Sequence, residues 1–395
     1  MIRITAVFNF PSPTTVRLFQ LIARQEDIDL QVLFCKKPLN ETSDGYFYSR
    51  KNIRSEWNVP LLTGYKYHFL EDPFDFNPSN VLGIINPEIK KYIFSNEMDI
   101  LLIGTSFWSW TTWAAINVAK KKGIALITKC TIETEKKRNL ILDIIRRNVV
   151  KKYFKNMTAG IFETEGQKKF MISHGLKEKS VFWAPSAVSN EFFDDRIKEL
   201  NRDEIRSELG LKKEDTVFVF LANIIERKRP KDLLLAYERL RKERKNICLF
   251  YIGDGDLRNR LEEYVAKMAI ERVCFLGFLN HHEMCKYLMA SDVFVLPSEN
   301  DASPKSLNEA MNFSLPIVIT DGVGSASELL EEGVNGFIYH RGDIDELVNI
   351  LSKMVDNSDM RREMGIESKR LVEKNGIDKA IDGWREAAKY CLDLR

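Results

Sequence analysis

Two carboxylates eight residues apart, Asp301 and Glu309, frame the segment DASPKSLNE and could bind the hydroxyl groups of a ligand. The segment follows the apolar run VFVLPS, which predicts a buried strand, and its own spacing predicts an amphipathic helix. Ser303 is placed to cap this helix, and Pro304 suits its first position. A helix that starts beyond a strand presents amide N–H groups and the positive end of its dipole, and both favour phosphate.

The amides of Ser303, Lys305 and Ser306 are those that would meet a phosphate, because Pro304 has no N–H. In that setting the two carboxylates could accept hydrogen bonds from sugar hydroxyls. Read locally, the same segment is an ordinary capped helix in which Glu309 is exposed to solvent.

A second group of candidates follows other predicted strands. After TVFVFLAN the loop IIERKRP carries Lys228, whose ammonium could bind a phosphate oxygen. A charge-assisted hydrogen bond of this kind contributes about 1.5–3 kcal/mol. A solvated run of surface charge is the alternative.

The stretch YIGDGDLRNR places Gly253 and Gly255 between a strand and a helix. It is an incomplete dinucleotide fingerprint, since a third glycine at the required spacing is missing. A tight turn with a helix-capping aspartate is the alternative to a close approach of the backbone to a nucleotide.

The stretch FLGFLNHHEM places Gly277, Phe278 and Leu279 at the end of another strand, where they could contact a nucleobase. The adjacent His281 and His282 suggest a metal. Neighbouring residues of a helix do not share a face, however, so we expect no metal there.

The elements around these candidates alternate between short apolar strands and helices of ten or more residues in both halves of the chain. This pattern predicts an α/β protein with two doubly wound, Rossmann-like domains facing each other across a cleft. We expect an N-terminal domain over 1–190, joined by a C-terminal helix at 377–395, and a second domain over 191–376. Residues 40–66 are less regular and are expected to form an inserted loop region.

Composition narrows the classes of function. The chain has 395 residues, of which 44% are apolar and 29% charged, with a formal charge of +2 and six scattered cysteines. The balanced charge argues against nucleic acid as a partner, and the cysteine spacing favours free thiols in a reducing compartment. No signal peptide or membrane-spanning stretch is evident, so we expect a cytoplasmic protein.

The second half resembles the donor domain of the family-4 glycosyltransferases, which are retaining enzymes of the GT-B fold. The resemblance covers ANIIERKRPKDLLLAYERL, FYIGDGDLRNRL, RVCFLGFLNHHEM, SDVFVLPSENDASPKSLNEAM and GSASELLEEGVNGF. It implies that Glu309 binds the ribose hydroxyls, that Asp301 holds a hydroxyl of the donor sugar and that Lys228 binds the diphosphate. The arginine that the family carries in the preceding loop falls on Asn223.

In the first half, SEWNVPLLTGYKYHFL and LLIGTSFWSW resemble segments of a bacterial branch of this family. Many members carry a histidine after the strand that ends here at Ile103. This sequence has Gly104, Thr105 and Ser106 instead, so we expect Thr105 and Ser106 to position the acceptor and not to act as bases.

These observations predict a retaining, metal-independent hexosyltransferase of polysaccharide biosynthesis. Its donor would be a nucleotide-diphosphate sugar, with UDP favoured and GDP possible, and its acceptor a glycan, a lipid-linked molecule or a small molecule. No cofactor is expected. The alternatives are a sugar-nucleotide epimerase of the same architecture, a dinucleotide-dependent oxidoreductase and a non-enzymatic membrane-surface protein.

The segment 136–156, KKRNLILDIIRRNVVKKYFKN, holds eight basic residues against Asp143 alone. Ile141, Ile145 and Val149 would share one face of a helix there. We expect the segment to bind the anionic surface on the inner face of a membrane. The alternative is a basic helix that packs on the sheet.

Overall fold

A computed structural model describes residues 1–37, 40–42, 45–50, 53–57, 61–73, 83–130, 140–186 and 188–394. These residues form two compact units. One is built from Met1–Tyr48, Trp57–Ser186 and Ile377–Arg395, and the other from Ser49–Glu56 and Ala187–Gly376.

The first unit is built on a parallel sheet. The strands of the first 186 residues are β1 Ile2–Phe8, β2 Ile28–Phe34, β3 Asn40–Thr42, β4 Gly45–Arg50, β5 Ile53–Trp57, β6 Lys66–Phe69, β7 Ile100–Ile103, β8 Ala125–Lys129, β9 Ala159–Phe162 and β10 Val181–Trp183. Seven of them form one sheet in the order β10-β9-β8-β7-β1-β2-β6. Strand β1 pairs in parallel with β2 and with β7, so the order of the strands reverses between β1 and β7. In doubly wound sheets ligands bind at the carboxyl ends of the strands beside such a reversal.

Strands β3, β4 and β5 lie outside the parallel sheet and form a three-stranded sheet of their own, with β3 antiparallel to β4. The prediction of an irregular loop over 40–66 was therefore wrong for these strands. Tyr46, Phe47 and Tyr48 are aromatic, and aromatic residues are enriched in strands.

Helices cover both faces of the first unit's parallel sheet. They are α1 Pro13–Ile22, α2 Glu88–Ser95, α3 Trp110–Lys121, α4 Leu140–Lys155 and α5 Glu165–Ser173. Buried side chains of α2 to α5 form one core, whereas α1 packs on the opposite face together with the last helix of the chain, which includes the fully buried Trp384.

The second unit repeats this architecture. Its strands are β11 Thr216–Leu221, β12 Ile247–Ile252, β13 Val273–Gly277, β14 Val293–Leu296, β15 Ile317–Thr320 and β16 Gly336–Tyr339. They pair in parallel in the order β13-β12-β11-β14-β15-β16. The reversal lies between β11 and β14, so their carboxyl ends mark the expected ligand site.

The remaining helices are α6 Asn190–Glu199, α7 Arg202–Glu208, α8 Pro230–Glu243, α9 Arg258–Lys267, α10 His281–Ala290, α11 Lys305–Asn312, α12 Ala326–Leu329, α13 Ile344–Asp356, α14 Ser358–Lys374 and α15 Ile377–Asp393. The strands predicted in this half are confirmed, and β16 is an additional one. Strands β11, β12, β14 and β15 are almost wholly buried because helices cover both of their faces.

Candidate functional site

The loops beyond β11, β14 and β15 form one platform at the carboxyl edge of the second unit's sheet. Backbone hydrogen bonds join them: Glu299 N donates to Arg227 O over 2.8 Å, and Asp301 N donates to Gly322 O over 2.9 Å. In return Gly324 N donates to Asp301 O over 2.8 Å. The side chains of these three loops are therefore held by main-chain geometry.

Glycine is required where the loops touch. A Cβ at Gly322 would lie 2.4 Å from the carbonyl oxygen of Glu299. One at Gly253, whose φ is +134°, would lie 2.1 Å from that of Ala222. The Gly253 turn therefore allows the loops after β11 and β12 to pack together.

The aspartates of that turn do not cap the next helix. Helix α9 begins at Arg258, and its N-cap residue, Leu257, makes no side-chain cap. Asp254 instead accepts a hydrogen bond from Gly255 N over 2.8 Å, so its carboxylate closes the turn itself. The prediction of a helix-capping aspartate was wrong, whereas the tight turn is confirmed.

Lys228 and Asp301 lie together at the centre of the platform. Lys228 ends a 3₁₀ turn, Glu226–Lys228, and its side chain is 9% exposed. Its Nζ contacts Asp301 Oδ2 directly, and the side chain of Asp301 is 15% exposed. Two residues expected to bind different parts of one ligand thus form an ion pair with each other.

The ammonium of Lys228 is poised to titrate near neutrality. Burial, together with the adjacent Arg227 charge, lowers the pKa of Lys228 to about 7. A phosphate dianion bound beside Lys228 would favour the charged form of this lysine.

Arg227 is a cation of the site that the sequence reading did not identify. Its Nη1 lies 3.8 Å from Asp301 Oδ2, and it also donates to the carbonyl oxygen of Asn300. Asn223, on which the family's arginine falls, is exposed beyond the end of β11. The run ERKR was the available signal, because it places a guanidinium beside the predicted phosphate-binding lysine.

Helix α11 starts later than predicted. It begins at Lys305, and Pro304 is its N-cap residue with φ −68° and ψ 122°, which is extended backbone. Ser303 therefore does not cap the helix, and the prediction that placed Pro304 at the first helical position was wrong. Among the described residues the buried Ser303 Oγ has no hydrogen-bond partner. Lys305 and Ser306 form the start of the first turn, where amides lack intrahelical acceptors.

Glu309 is buried. Its side chain is 9% exposed, so the local expectation of a solvated residue was wrong. Its Oε1 lies 3.4 Å from Nε2 of His281, the first residue of α10. That helix is fixed by a capping box between Asn280 and Glu283. The turn at Gly277, with φ +73°, and the half-buried Phe278 and Leu279 precede it.

The contact with Glu309 changes the pKa of the His281 imidazole. Burial opposes its charge, but the Glu309 carboxylate outweighs burial and raises the pKa of His281. His282, the next residue, points to solvent.

The first unit holds its predicted hydroxyls beyond β7. Thr105 is buried, and its Oγ1 lies 2.7 Å from Oγ1 of Thr112. Ser106 is exposed, and its Oγ accepts from Trp108 N over 3.3 Å. The sequence reading missed an ion pair of 2.9 Å between Lys129, at the end of β8, and Glu163, just beyond β9. Both side chains are mostly buried, so the pair is a fixed polar feature of this edge.

Two features are missing from the part of the chain that the structure describes. There, no group of three His, Cys, Asp or Glu side chains is arranged to hold a metal ion. Nor is any described helix both long enough and apolar enough to cross a bilayer.

Comparison with known families gives a match in the second half of the chain. The profile of the family described as "Glycosyl transferases group 1" matches residues 201–371. Spore coat protein SA of Bacillus subtilis is 30% identical over 204 residues, covering 49% of this chain and 52% of that protein. An Escherichia coli UDP-Gal:alpha-D-GlcNAc-diphosphoundecaprenol alpha-1,3-galactosyltransferase is 27% identical over 205 residues, covering 51% and 49%. The chain thus spans about half the length of these relatives.

Solved structures match the whole chain. Anabaena HepE in complex with UDP superimposes with a TM-score of 0.73 at 14% identity, covering 98% of this chain and 100% of that one. WaaG, a glycosyltransferase involved in lipopolysaccharide biosynthesis, gives a TM-score of 0.68 at 14% identity and covers 98% of both chains.

Two doubly wound parallel sheets and these likenesses define the GT-B fold, as the sequence predicts. The match to the group 1 glycosyl transferases lies within the second unit.

Proposed function

We propose that this protein is a retaining glycosyltransferase of the family-4 type that uses a nucleotide-diphosphate sugar. The observation that carries the proposal is the platform on which Lys228, Asp301 and the first turn of α11 lie together. A UDP-sugar is the favoured donor, since HepE was solved with UDP and the E. coli relative is named for UDP-Gal. The acceptor is a glycan, a lipid-linked molecule or a small molecule.

The diphosphate would lie on the start of α11, where the amides of Lys305 and Ser306 and the helix dipole favour negative charge. Lys228 and Arg227 would supply the cations. When Lys228 turns to the phosphate, Asp301 is released from its ion pair and can accept a hydrogen bond from a hydroxyl of the donor sugar. In the free protein the ion pair therefore holds the side chains of Lys228 and Asp301 in place until the donor binds.

The nucleoside end of the donor would lie towards α10. Glu309 would accept hydrogen bonds from the ribose hydroxyls, and Gly277, Phe278 and Leu279 would lie beside the base. A carboxylate that is already buried has lost much of its hydration, so its bonds to the ribose cost less to form.

In the chemical step, the bond between the sugar and the leaving diphosphate breaks as the acceptor oxygen bonds to the same face of the sugar. The leaving phosphate oxygen takes the acceptor proton, and Lys228, Arg227 and the amides of α11 stabilise the charge that it gains. Thr105, hydrogen-bonded to another hydroxyl, would position the acceptor without acting as a base. We propose that no metal is needed, because the protein supplies these cations itself.

Thermal-shift measurements with UDP, GDP, ADP and their sugars test the donor, since a ligand that binds the native state raises its unfolding temperature. Incubation with donor and candidate acceptors in EDTA, followed by NMR of the anomeric proton, tests retention and metal independence. Conversion of the donor without an acceptor would identify the epimerase alternative. Absence of stabilisation by all of these nucleotides would overturn the proposed function.

We also propose that the enzyme works on the cytoplasmic face of a membrane. Helices α2 to α4 form one layer of the first unit, and Phe94, Ile144 and Ile145 on it are 72%, 54% and 51% exposed. Helices α3 and α4 also carry exposed basic residues: Lys120, Lys121, Arg147, Lys151 and Lys152. Such a surface suits anionic lipid.

The helix face differs in part from the expected one. Val149 is half-buried and packs against the core, whereas Ile144 joins Ile145 at the surface. The side chain of Ile141 and residues 136–139 lie outside the described part. Sedimentation with anionic vesicles at low salt should fall when Ile144 and Ile145 are changed to Ser. It should be unchanged by Ile366→Ser, an isoleucine of α14 that is 57% exposed. Equal binding by all three proteins, or none by the wild type, would contradict this proposal.

A further inference from the structure

We propose that His281 is a positioning residue of the nucleotide site, which holds the Glu309 carboxylate in place and makes nucleotide affinity depend on pH. The inference rests on the proposed function, because it assigns Glu309 to the ribose. It adds a residue that neither the family resemblance nor the sequence pattern assigns.

The geometry brings two separate elements together at one carboxylate. His281 Nε2 lies 3.4 Å from Glu309 Oε1, and the side chains are 22% and 9% exposed. His281 is the first residue of α10, directly after the loop that would contact the base, and Glu309 is in the second turn of α11. One carboxylate oxygen faces the imidazole, which leaves Oε2 for a ribose hydroxyl.

A buried carboxylate with a cationic neighbour is both ionised and fixed in direction, and an acceptor of ribose hydroxyls needs both properties. Protonated His281 supplies this neighbour. When the imidazole loses its proton, its contact with Glu309 loses the positive charge and is weakened.

Few other groups compete for this imidazole. The ring of Phe192, on α6, faces it edge-on at 6.2 Å. On its own helix, Cys285 donates to the His281 carbonyl oxygen over 2.9 Å, and burial raises the pKa of that thiol to about 12, so it stays neutral. On the two helices packed against α10, several charged groups have partners other than His281: on α6, Arg196 pairs with Glu199 and Asp194 with Lys369; on α7, Arg202 and Arg206 pair with Asp292 and Glu208 with Lys286. Glu283 binds the Asn280 amide over 3.0 Å. Glu309 is therefore the carboxylate that raises the pKa of His281.

The sign of the effect follows from this direction. Because the pKa of His281 lies above its ordinary value, the imidazole keeps its charge to a higher pH than an unperturbed histidine does. The contribution of His281 to nucleotide binding is then complete on the acid side and is lost as the pH rises through the raised pKa.

The test is isothermal titration of the wild type, His281→Gln, His281→Lys and His282→Gln with UDP, GDP and ADP, from about pH 6 to about pH 9. Lys228 and the phosphates titrate equally in all four proteins, so the ratio of each variant's Kd to that of the wild type isolates position 281. His281→Gln should weaken binding by up to about tenfold at the acid end and converge with the wild type at the alkaline end. His281→Lys should lack the step that the wild type shows. His282→Gln is the matched control, one residue away and exposed, and its ratio should stay at one.

A structural role for His281 would give a different result. A Kd ratio for His281→Gln that is constant with pH, or an effect that persists undiminished when Glu309→Gln is also present, would overturn the inference while nucleotide binding stands. If the wild type binds none of the three nucleotides, the proposed function fails and the inference with it. The unfolding temperature of each variant shows whether that variant is folded. If His281→Gln is misfolded, His281→Lys provides a second test.

Discussion

Replacement of Lys228 by Met should weaken the binding of a nucleoside diphosphate and leave the binding of the nucleoside unchanged. Met has about the length of the lysine stem and fits a site in which the lysine side chain is 9% exposed. The change removes the cation that would bind the diphosphate, while Arg227 remains to pair with Asp301.

The magnitude follows from the surroundings of Lys228. A charge-assisted hydrogen bond to phosphate contributes about 1.5–3 kcal/mol. Because the pKa of Lys228 lies at about 7, only about half of the molecules carry the charge at neutral pH, which subtracts about 0.4 kcal/mol. The ligand must also replace the contact with Asp301. We therefore expect a net loss of about 1–2 kcal/mol, which is roughly a 5- to 30-fold rise in Kd.

Isothermal titration at neutral pH with UDP and with uridine measures both predicted effects. Lys231→Met is the matched control, since Lys231 is an exposed lysine on the neighbouring helix α8. The reasoning is refuted if Lys228→Met binds UDP as tightly as the wild type does. It is refuted equally if the affinity for uridine falls by the same factor.

Three other outcomes are expected. The affinity of His281→Gln for UDP should fall as the pH rises above about 7, because Lys228 loses its proton, and titration of the double variant His281→Gln/Lys228→Met should show no such fall. Thr105→Ala and Ser106→Ala should each lower turnover at saturating substrate only modestly, and Asp301→Ala should lower it more, so a hydroxyl variant slower than Asp301→Ala would show that a base had been missed. Gly322→Ala should lower the unfolding temperature, because its Cβ would lie 2.4 Å from a carbonyl oxygen, and calorimetry showing wild-type stability would contradict the packing of these loops.

The strands of the second unit could be predicted because each is a short apolar run, and a strand covered on both faces needs little else. The chemistry-bearing residues could be placed at strand ends for the same reason. The contact of Lys228 with Asp301 could not be predicted, since it depends on hydrogen bonds between loops that lie 73 residues apart in the chain.

The burial of Glu309 also could not be predicted from the sequence pattern. On the helix its position alone predicts a solvated side chain, but the loop before α10 brings His281 against it. The predicted start of α11 was wrong for a local reason. The extended ψ of Pro304 means that the helix begins only at Lys305. A residue pattern indicates the secondary structure that each segment prefers. The contact of Lys228 with Asp301 and the burial of Glu309 depend instead on which segments pack together.

The last helix has a consequence for the order in which the two units can form during synthesis. Helix α15 puts Trp384 into the core of the first unit, which otherwise consists of residues before 187. Domains usually fold in the order in which the ribosome releases them. Here residues 187–376 emerge complete while the first unit still lacks part of its core, so the second unit can finish folding first. The sheet made earliest must wait, with the α15 side of its core uncovered, until the chain has been synthesised through Asp393.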